Sequence, residues 1–233
     1  MPTQKEEWKI YKNVFDQSTL LVLEKLRSQG HFDELKSPIA LGKEANVFSA
    51  TKDDGMIIAK IYRVENCNFN NMYRYLMPDP RFHGLKKRRR LIIFAWVQRE
   101  YRNLLKAREV IRVPKPIAIK EGVLLMEFIG RKNPAPKLKD SPPTDPKKFF
   151  DKTVKNIKAL YGIGLVHADL SEFNILNFEE EPVFIDFSQS TTVEHPQAIE
   201  FLKRDILNIC KYFRKHGLKA DEDYVFRLVV EKA

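Results

Sequence analysis

The chain holds only two cysteines, Cys67 and Cys210, far apart and in no metal-ligand spacing, so neither a disulfide framework nor a zinc site is on offer and both are expected as reduced thiols. No apolar run approaches the roughly 18 to 20 residues of a membrane helix. The opening MPTQKEEWKIYKN puts acids where a signal peptide has its apolar stretch, which predicts an intracellular, cytoplasmic protein with no membrane partner. Glycine is scarce at 9 of 233 residues, and with 13 prolines, 43% hydrophobic and 31% charged residues this is the composition of a folded protein. Acid is short relative to base. Forty-one Lys plus Arg against 31 Asp plus Glu give +10, a balance suited to a polyanion such as a nucleotide, RNA or a ribonucleoprotein surface.

Ser18 or Thr19 can cap a short leading helix with Leu20, Leu23 and Leu26 on one face. After it, PIALGKEANVFSATKDDGMIIAKIYRV alternates apolar and polar residues around an Asp53-Asp54-Gly55 turn, which predicts an antiparallel hairpin with a leading strand. Residues 65 to 83 mix Asn, Pro and aromatics with neither period and are expected as a mobile loop. From about Lys87 the apolar spacing predicts one long helix with a basic first turn, which the helix dipole disfavours. Strands are expected near 116 to 120 and 123 to 128. The proline-rich RKNPAPKLKDSPPTDP reads as a surface linker. A helix from Pro146, short strands near 175 to 177 and 182 to 185, and a last major helix from Pro196 follow. The pattern predicts an α+β chain in two lobes: an antiparallel sheet with a long helix over 1–125, a hinge and linker over 126–136, and a small helical lobe over 137–233.

The sharpest chemistry lies in VHADLSEFNIL and PVFIDFSQS. An aspartate, an asparagine five positions on, and a second aspartate after an apolar strand are what phosphoryl transfer requires. Asp169 can accept a hydroxyl proton, while Asn174 and Asp186 supply oxygen ligands to Mg²⁺, a hard cation.

With these motifs the chain resembles the protein kinase superfamily, and specifically the RIO family of atypical serine/threonine kinases in its Rio-one branch. Where ordinary kinases read H-R-D, it has His167-Ala168-Asp169; where they read D-F-G, it has Asp186-Phe187-Ser188; and GKEANVF stands in place of the glycine-rich loop. The resemblance implies a compact bilobal kinase-like fold as one domain, with ATP and Mg²⁺ (or Mn²⁺) as cofactors. Lys60 would reach the phosphates and pair with Glu100, and Gly42, Lys43, Glu44, Ala45 and Val47 would border the phosphates. Backbone groups of Glu127 and Ile129 would hold adenine. Asp205 would support the catalytic loop. After Asp186 the sequence has no room for an activation segment, so no ordinary peptide-docking groove is expected, and the interval between Lys60 and Glu100 suggests a lid over 65–83. The family role is maturation of the small ribosomal subunit, with a precursor particle, its RNA or its proteins as partner. Two alternatives stay open: an ATPase switch in which Asp186 accepts the γ-phosphoryl group, and a basic pre-ribosome-binding scaffold with a degenerate nucleotide site.

Between Thr51 and Ser141 there is no serine or threonine at all. Self-phosphorylation is therefore predicted outside 52–140, on Thr3, Ser18 or Thr19 or between molecules. Mass spectrometry after incubation with Mg²⁺-ATP checks this, and dominant phosphotyrosine at Tyr73 or Tyr75 would contradict it.

Overall fold

The computed structural model describes residues 15–63 and 67–231, so Thr3 lies outside them. The first helix among the described residues, α1 (Gln17–Ser28), is capped by Asp16 rather than by Ser18 or Thr19: the Asp16 carboxylate accepts from Thr19 N at 2.7 Å and from Ser18 Oγ at 2.6 Å. Ser18 and Thr19 fall in its first turn. An aspartate two or three residues upstream reaches the free amides as well as either hydroxyl would from the cap.

Five antiparallel strands follow: β1 (Glu34–Leu41), β2 (Ala45–Lys52), β3 (Gly55–Tyr62), β4 (Pro116–Lys120) and β5 (Val123–Glu127), in the order β1-β2-β3-β5-β4. Strand β3 shows how the sheet assigns its faces. Ile57, Ala59 and Ile61 join Leu20, Leu23 and Leu26 of α1 in one buried cluster. Ile58, Lys60 and Tyr62, one residue out of phase, point to the opposite side, as the period of two demands. Register sets Lys60 opposite Val47 on one side and Leu124 on the other.

The expected irregular lid over 65–83 is corrected. Residues Phe69–Leu76 form α2, capped by Asn68, and Pro80–Phe82 a single 3₁₀ turn. Met72 and Leu76 are fully buried and Phe69 and Tyr73 pack beside them, so the spacing 69, 72, 73, 76 is a helical stripe that neighbouring Asn and Pro residues obscure. No residue from 67 to 83 lines the main cleft. Helix α3 (Arg89–Ala107) packs against α2 and carries Ile93, Trp96, Val97 and Leu104 into a cluster that runs on to Phe149, Phe184, Phe187, Ile206 and Phe213. Its start lacks a side-chain cap and an acid, an arrangement that costs about 0.3–1 kcal/mol per charge placed against the dipole.

The helical half comprises α4 (Pro146–Gly162), α5 (Ala198–Lys215) and α6 (Glu222–Val230), with the paired short strands β7 (Ile175–Phe178) and β8 (Glu181–Phe184), and β6 (Leu165–Val166) paired with β9 (Thr191–Thr192). The proline-rich stretch is also more than a surface linker. Leu138 is fully buried, its N–H donates to Ile175 O at 2.8 Å, and its carbonyl accepts from Tyr212 Oη at 2.8 Å. Prolines remove regular structure from this stretch, yet one leucine and two backbone bonds anchor it. At its start Gly130 has φ +155, and a Cβ there would fall 2.2 Å from Asn133 O, so only glycine fits.

Candidate active site

Lys60 is buried at the centre of the site. Its Nζ donates to Glu100 Oε1 at 2.8 Å and to Asp186 Oδ1 at 2.9 Å, and Tyr62 Oη donates to Glu100 Oε2 at 2.6 Å. Burial alone would neutralise this amine, but the Asp186 and Glu100 charges outweigh it and hold its pKa well above the usual lysine range. Burial also raises Glu100, against the pull of Lys60. Asp186 takes a further hydrogen bond from Ser188 Oγ at 2.7 Å. Burial works to raise its pKa; Lys60 and that hydroxyl overcome it and bring it down to about 2.

Helix α3 supports this from behind. Arg99, fully buried, donates from Nε to Ser190 O at 3.1 Å and from Nη2 to Gln189 O at 3.3 Å, while Asn103 Nδ2 reaches Phe187 O and Ser190 O at 3.0 and 2.8 Å. The segment after Asp186 is thus held at its carbonyls by the residues flanking Glu100.

The loop from His167 to Asn174 is fixed by α5. Asp205 Oδ2 and Oδ1 accept from the amides of Ala168 and Leu170, each at 2.8 Å, Arg204 donates to Ala168 O, and Asn208 Nδ2 donates to Leu170 O at 3.2 Å. Ala168 (φ 65) and Asp186 (φ 63) both sit in the left-handed region, which costs a non-glycine residue roughly 1–2 kcal/mol and persists only where surroundings enforce it. Asn174 Nδ2 donates to Asp169 O at 2.8 Å and Asp169 Oδ2 at 3.1 Å, leaving its Oδ1 for another partner. Burial, helped by the Asp186 charge, lifts Asp169 to about 6. Two carboxylates in one cleft are pushed apart by their surroundings, the arrangement that lets one stay ionised and the other exchange a proton near neutrality.

These groups border a cleft of about 730 Å³. Gly42, Lys43, Glu44, Ala45, Val47, Ile58, Met126, Glu127 and Ile129 line it, and Lys60 with Asp186 and Asp169 with Asn174 supply its bonded polar pairs. Gly42 N–H donates to Ala45 O at 3.1 Å, and a Cβ on Gly42 would lie 2.8 Å from that oxygen, so the tight turn needs glycine. Oxygen donors from Asn174 and Asp186 suit Mg²⁺. Among the described residues no group of three or more His, Cys, Asp or Glu side chains could hold a metal alone, so such an ion would share phosphate oxygens.

The RIO domain family model matches residues 46–225. The chain belongs to the RIO family of serine/threonine protein kinases. It is 44% identical over 229 residues to the RIO-type serine/threonine-protein kinase Rio1 of Methanocaldococcus jannaschii, covering 97% of this chain and 79% of that protein. The serine/threonine-protein kinase rio1 of Schizosaccharomyces pombe is 42% identical over 213 residues, 88% of this chain but 43% of that one. In fold the kinase is similar to Rio2 from Chaetomium thermophilum, solved as an ADP/Mg²⁺-phosphoaspartate complex, at TM-score 0.68 and 21% identity over 91% of this chain and 66% of that one. A kinase-like fold with an N-terminal antiparallel sheet and a helical part therefore agrees with the sequence expectation. Among the described residues no helix of the kinase is long and apolar enough to cross a membrane.

Of the catalytic, nucleotide-binding and metal-binding residues expected from sequence, all but Glu100 line the cleft; Glu100 stands behind Lys60 and acts on the cleft through it, and Asp205, expected as a support, holds the Ala168 and Leu170 amides outside the lining. Tyr62 and Ser188 were missed, although each lies two residues from a named site residue, Tyr62 on the same strand face as Lys60. In the nucleotide-free kinase, the Asp169 carboxyl should bind its proton below about pH 6 and release it above, while Asp186 stays ionised down to about pH 2. Carboxyl-carbon NMR titration reads both, and an Asp169 midpoint near the ordinary 3.8 would contradict the split.

Proposed function

We propose that the kinase transfers the γ-phosphoryl group of ATP, with Mg²⁺, to a serine or threonine hydroxyl during maturation of the small ribosomal subunit, in the cytoplasm. The observation that carries this reading is the convergence of Lys60, Asp186, Asn174 and Asp169 in one cleft, with Lys60 bonded to both Glu100 and Asp186. Under it the whole chain is one kinase domain: a sheet lobe over 1–125, a hinge over 126–136 and a helical lobe over 137–233. The Glu127 N–H is taken by Lys115 O and the Ile129 carbonyl by Ala135 N, so the Glu127 carbonyl and the Ile129 N–H are the groups that would meet adenine. Lys60, fixed by Glu100, would hold phosphate oxygens, and Lys43 with nearby amides would take over the work that extra glycines do elsewhere. Bound through Asn174 and Asp186, Mg²⁺ would neutralise charge developing on the phosphates. Asp169 would accept the hydroxyl proton as the new O–P bond forms and ADP departs. The net +10 charge fits a precursor ribosomal particle as partner.

A second reading rests on Asp186. It is ionised, its side chain is 37% exposed toward the cleft, and the Rio2 neighbour was captured with a phosphoaspartate. Here Asp186 attacks the γ-phosphorus, the bond to the β,γ-bridging oxygen breaks with release of ADP, and water then hydrolyses the acyl phosphate, giving its proton to Asp169. A scaffold with a degenerate site is disfavoured by the intact set of four polar groups in the cleft.

Asp169→Asn should retain ATP affinity and lose about 10²-fold or more in turnover, because the proton acceptor goes while the phosphate and adenine contacts stay. Calorimetric titration with a phosphate-release assay checks it. Turnover at the normal rate would remove Asp169 from the role of base under either reading.

A further inference from the structure

From Cys67 to Arg99 the one carboxylate in the sequence is Asp79, and it is buried and held by the Arg81 guanidinium. Against it stand Arg74, Lys86, Lys87, Arg88 and Arg89, all exposed. None of the five forms an ion pair among the described residues. Two of them lie over aromatic rings of α2: the Arg89 guanidinium carbon 4.9 Å from the Phe69 centroid and Lys87 Nζ 5.4 Å from that of Tyr73. Phe69 and Tyr73 are four residues apart on one helix and so share a face. Arg90 is excluded from this patch, because it lines a separate crevice with Ser18, Thr19 and Glu121.

Lys86, Lys87, Arg88 and Arg89 occupy consecutive positions at the uncapped start of α3, where they repel one another and oppose its dipole, and the two ring contacts are what the fold draws from them. An anionic partner relieves both repulsions. We infer that the surface formed by α2 and residues 86–89 binds single-stranded RNA. Guanidinium groups match phosphate oxygens in bidentate fashion, and the Arg89 guanidinium, held over the Phe69 ring, offers its outer face for an unpaired base to stack on. An acidic peptide would meet the cations but brings no base to stack on the guanidinium. The sulfur of Cys67, just before α2, lies 3.3 Å from Glu44 O, which places the start of the patch beside the loop that lines the cleft. The inference gives the polyanionic partner proposed above a location on the chain.

The test is fluorescence anisotropy of a labelled short oligouridine with the full chain over a range of salt. Wild type should bind, with affinity falling as salt rises. Lys87→Glu/Arg89→Glu should weaken binding about tenfold or more and flatten the log–log salt slope by about 1.4, the value for two lost phosphate contacts on a single strand. Lys148→Glu/Lys155→Glu on exposed positions of α4 removes the same charge and should change affinity less than about twofold. Lys87→Gln/Arg89→Gln keeps the side-chain stems over the rings, guards against misfolding of α2, and should still weaken binding with melting temperature and RNA-free ATP turnover unchanged. Equal losses in the Lys87/Arg89 and the Lys148/Lys155 charge reversals, no binding by wild type, or equal binding of polyglutamate or phosphatidylserine vesicles would each overturn the inference. Because the assay needs no turnover, its failure leaves the kinase reading standing.

Discussion

A buried lysine charge is the constraint around which this kinase is arranged. Moving an ammonium group out of water costs several kcal/mol unless opposite charge and hydrogen bonds replace the lost hydration. Lys60 finds both in Glu100 and Asp186, with the Tyr62 ring 5.2 Å from its Nζ. These partners arrive from α3, from the turn after β8 and from β3 itself, so satisfying one charge ties the sheet, the long helix and the β7–β8 pair together. The residues on either side of Glu100 extend the same tie, because Arg99 and Asn103 grip carbonyls from Phe187 to Ser190.

A second support comes from α5. Asp205 holds two amides of a loop whose Ala168 is in a left-handed conformation, and burial raises its own pKa to about 7. The loop delivers Asp169 and Asn174 already bonded to each other. Asp169 and Asp186 share a cleft yet differ because Lys60 bonds only the second, and this asymmetry lifts one carboxyl to about 6 and brings the other down to about 2.

The parts of the fold legible in the sequence are those written locally. The hairpin of β2 and β3 follows from alternation around Asp53-Asp54-Gly55, the long α3 from its apolar spacing, and the Asp169, Asn174, Asp186 set from residue types at short intervals. Helix α2 escaped because four apolar positions in an Asn-rich, Pro-flanked segment give a short signal, and Leu138 because one buried residue leaves no period at all. Tyr62 and Ser188 were within reach of a period-two reading. Arg99 was not: its bond to Ser190 spans 91 positions, and nothing local marks an arginine in an amphipathic helix as one that will be fully buried.

The most direct test of the central claim is the steady-state rate of Glu100→Gln over a range of Mg²⁺-ATP concentrations, alongside its thermal unfolding. Glutamine keeps the shape and the hydrogen bond to Tyr62 but withdraws one of the two charges that hold Lys60, so the fold should persist while kcat/KM falls tenfold or more, about 1.4 kcal/mol of transition-state stabilisation. A folded variant with unchanged kcat/KM would show that Lys60 does not depend on Glu100 for its place at the phosphates, and would contradict the account.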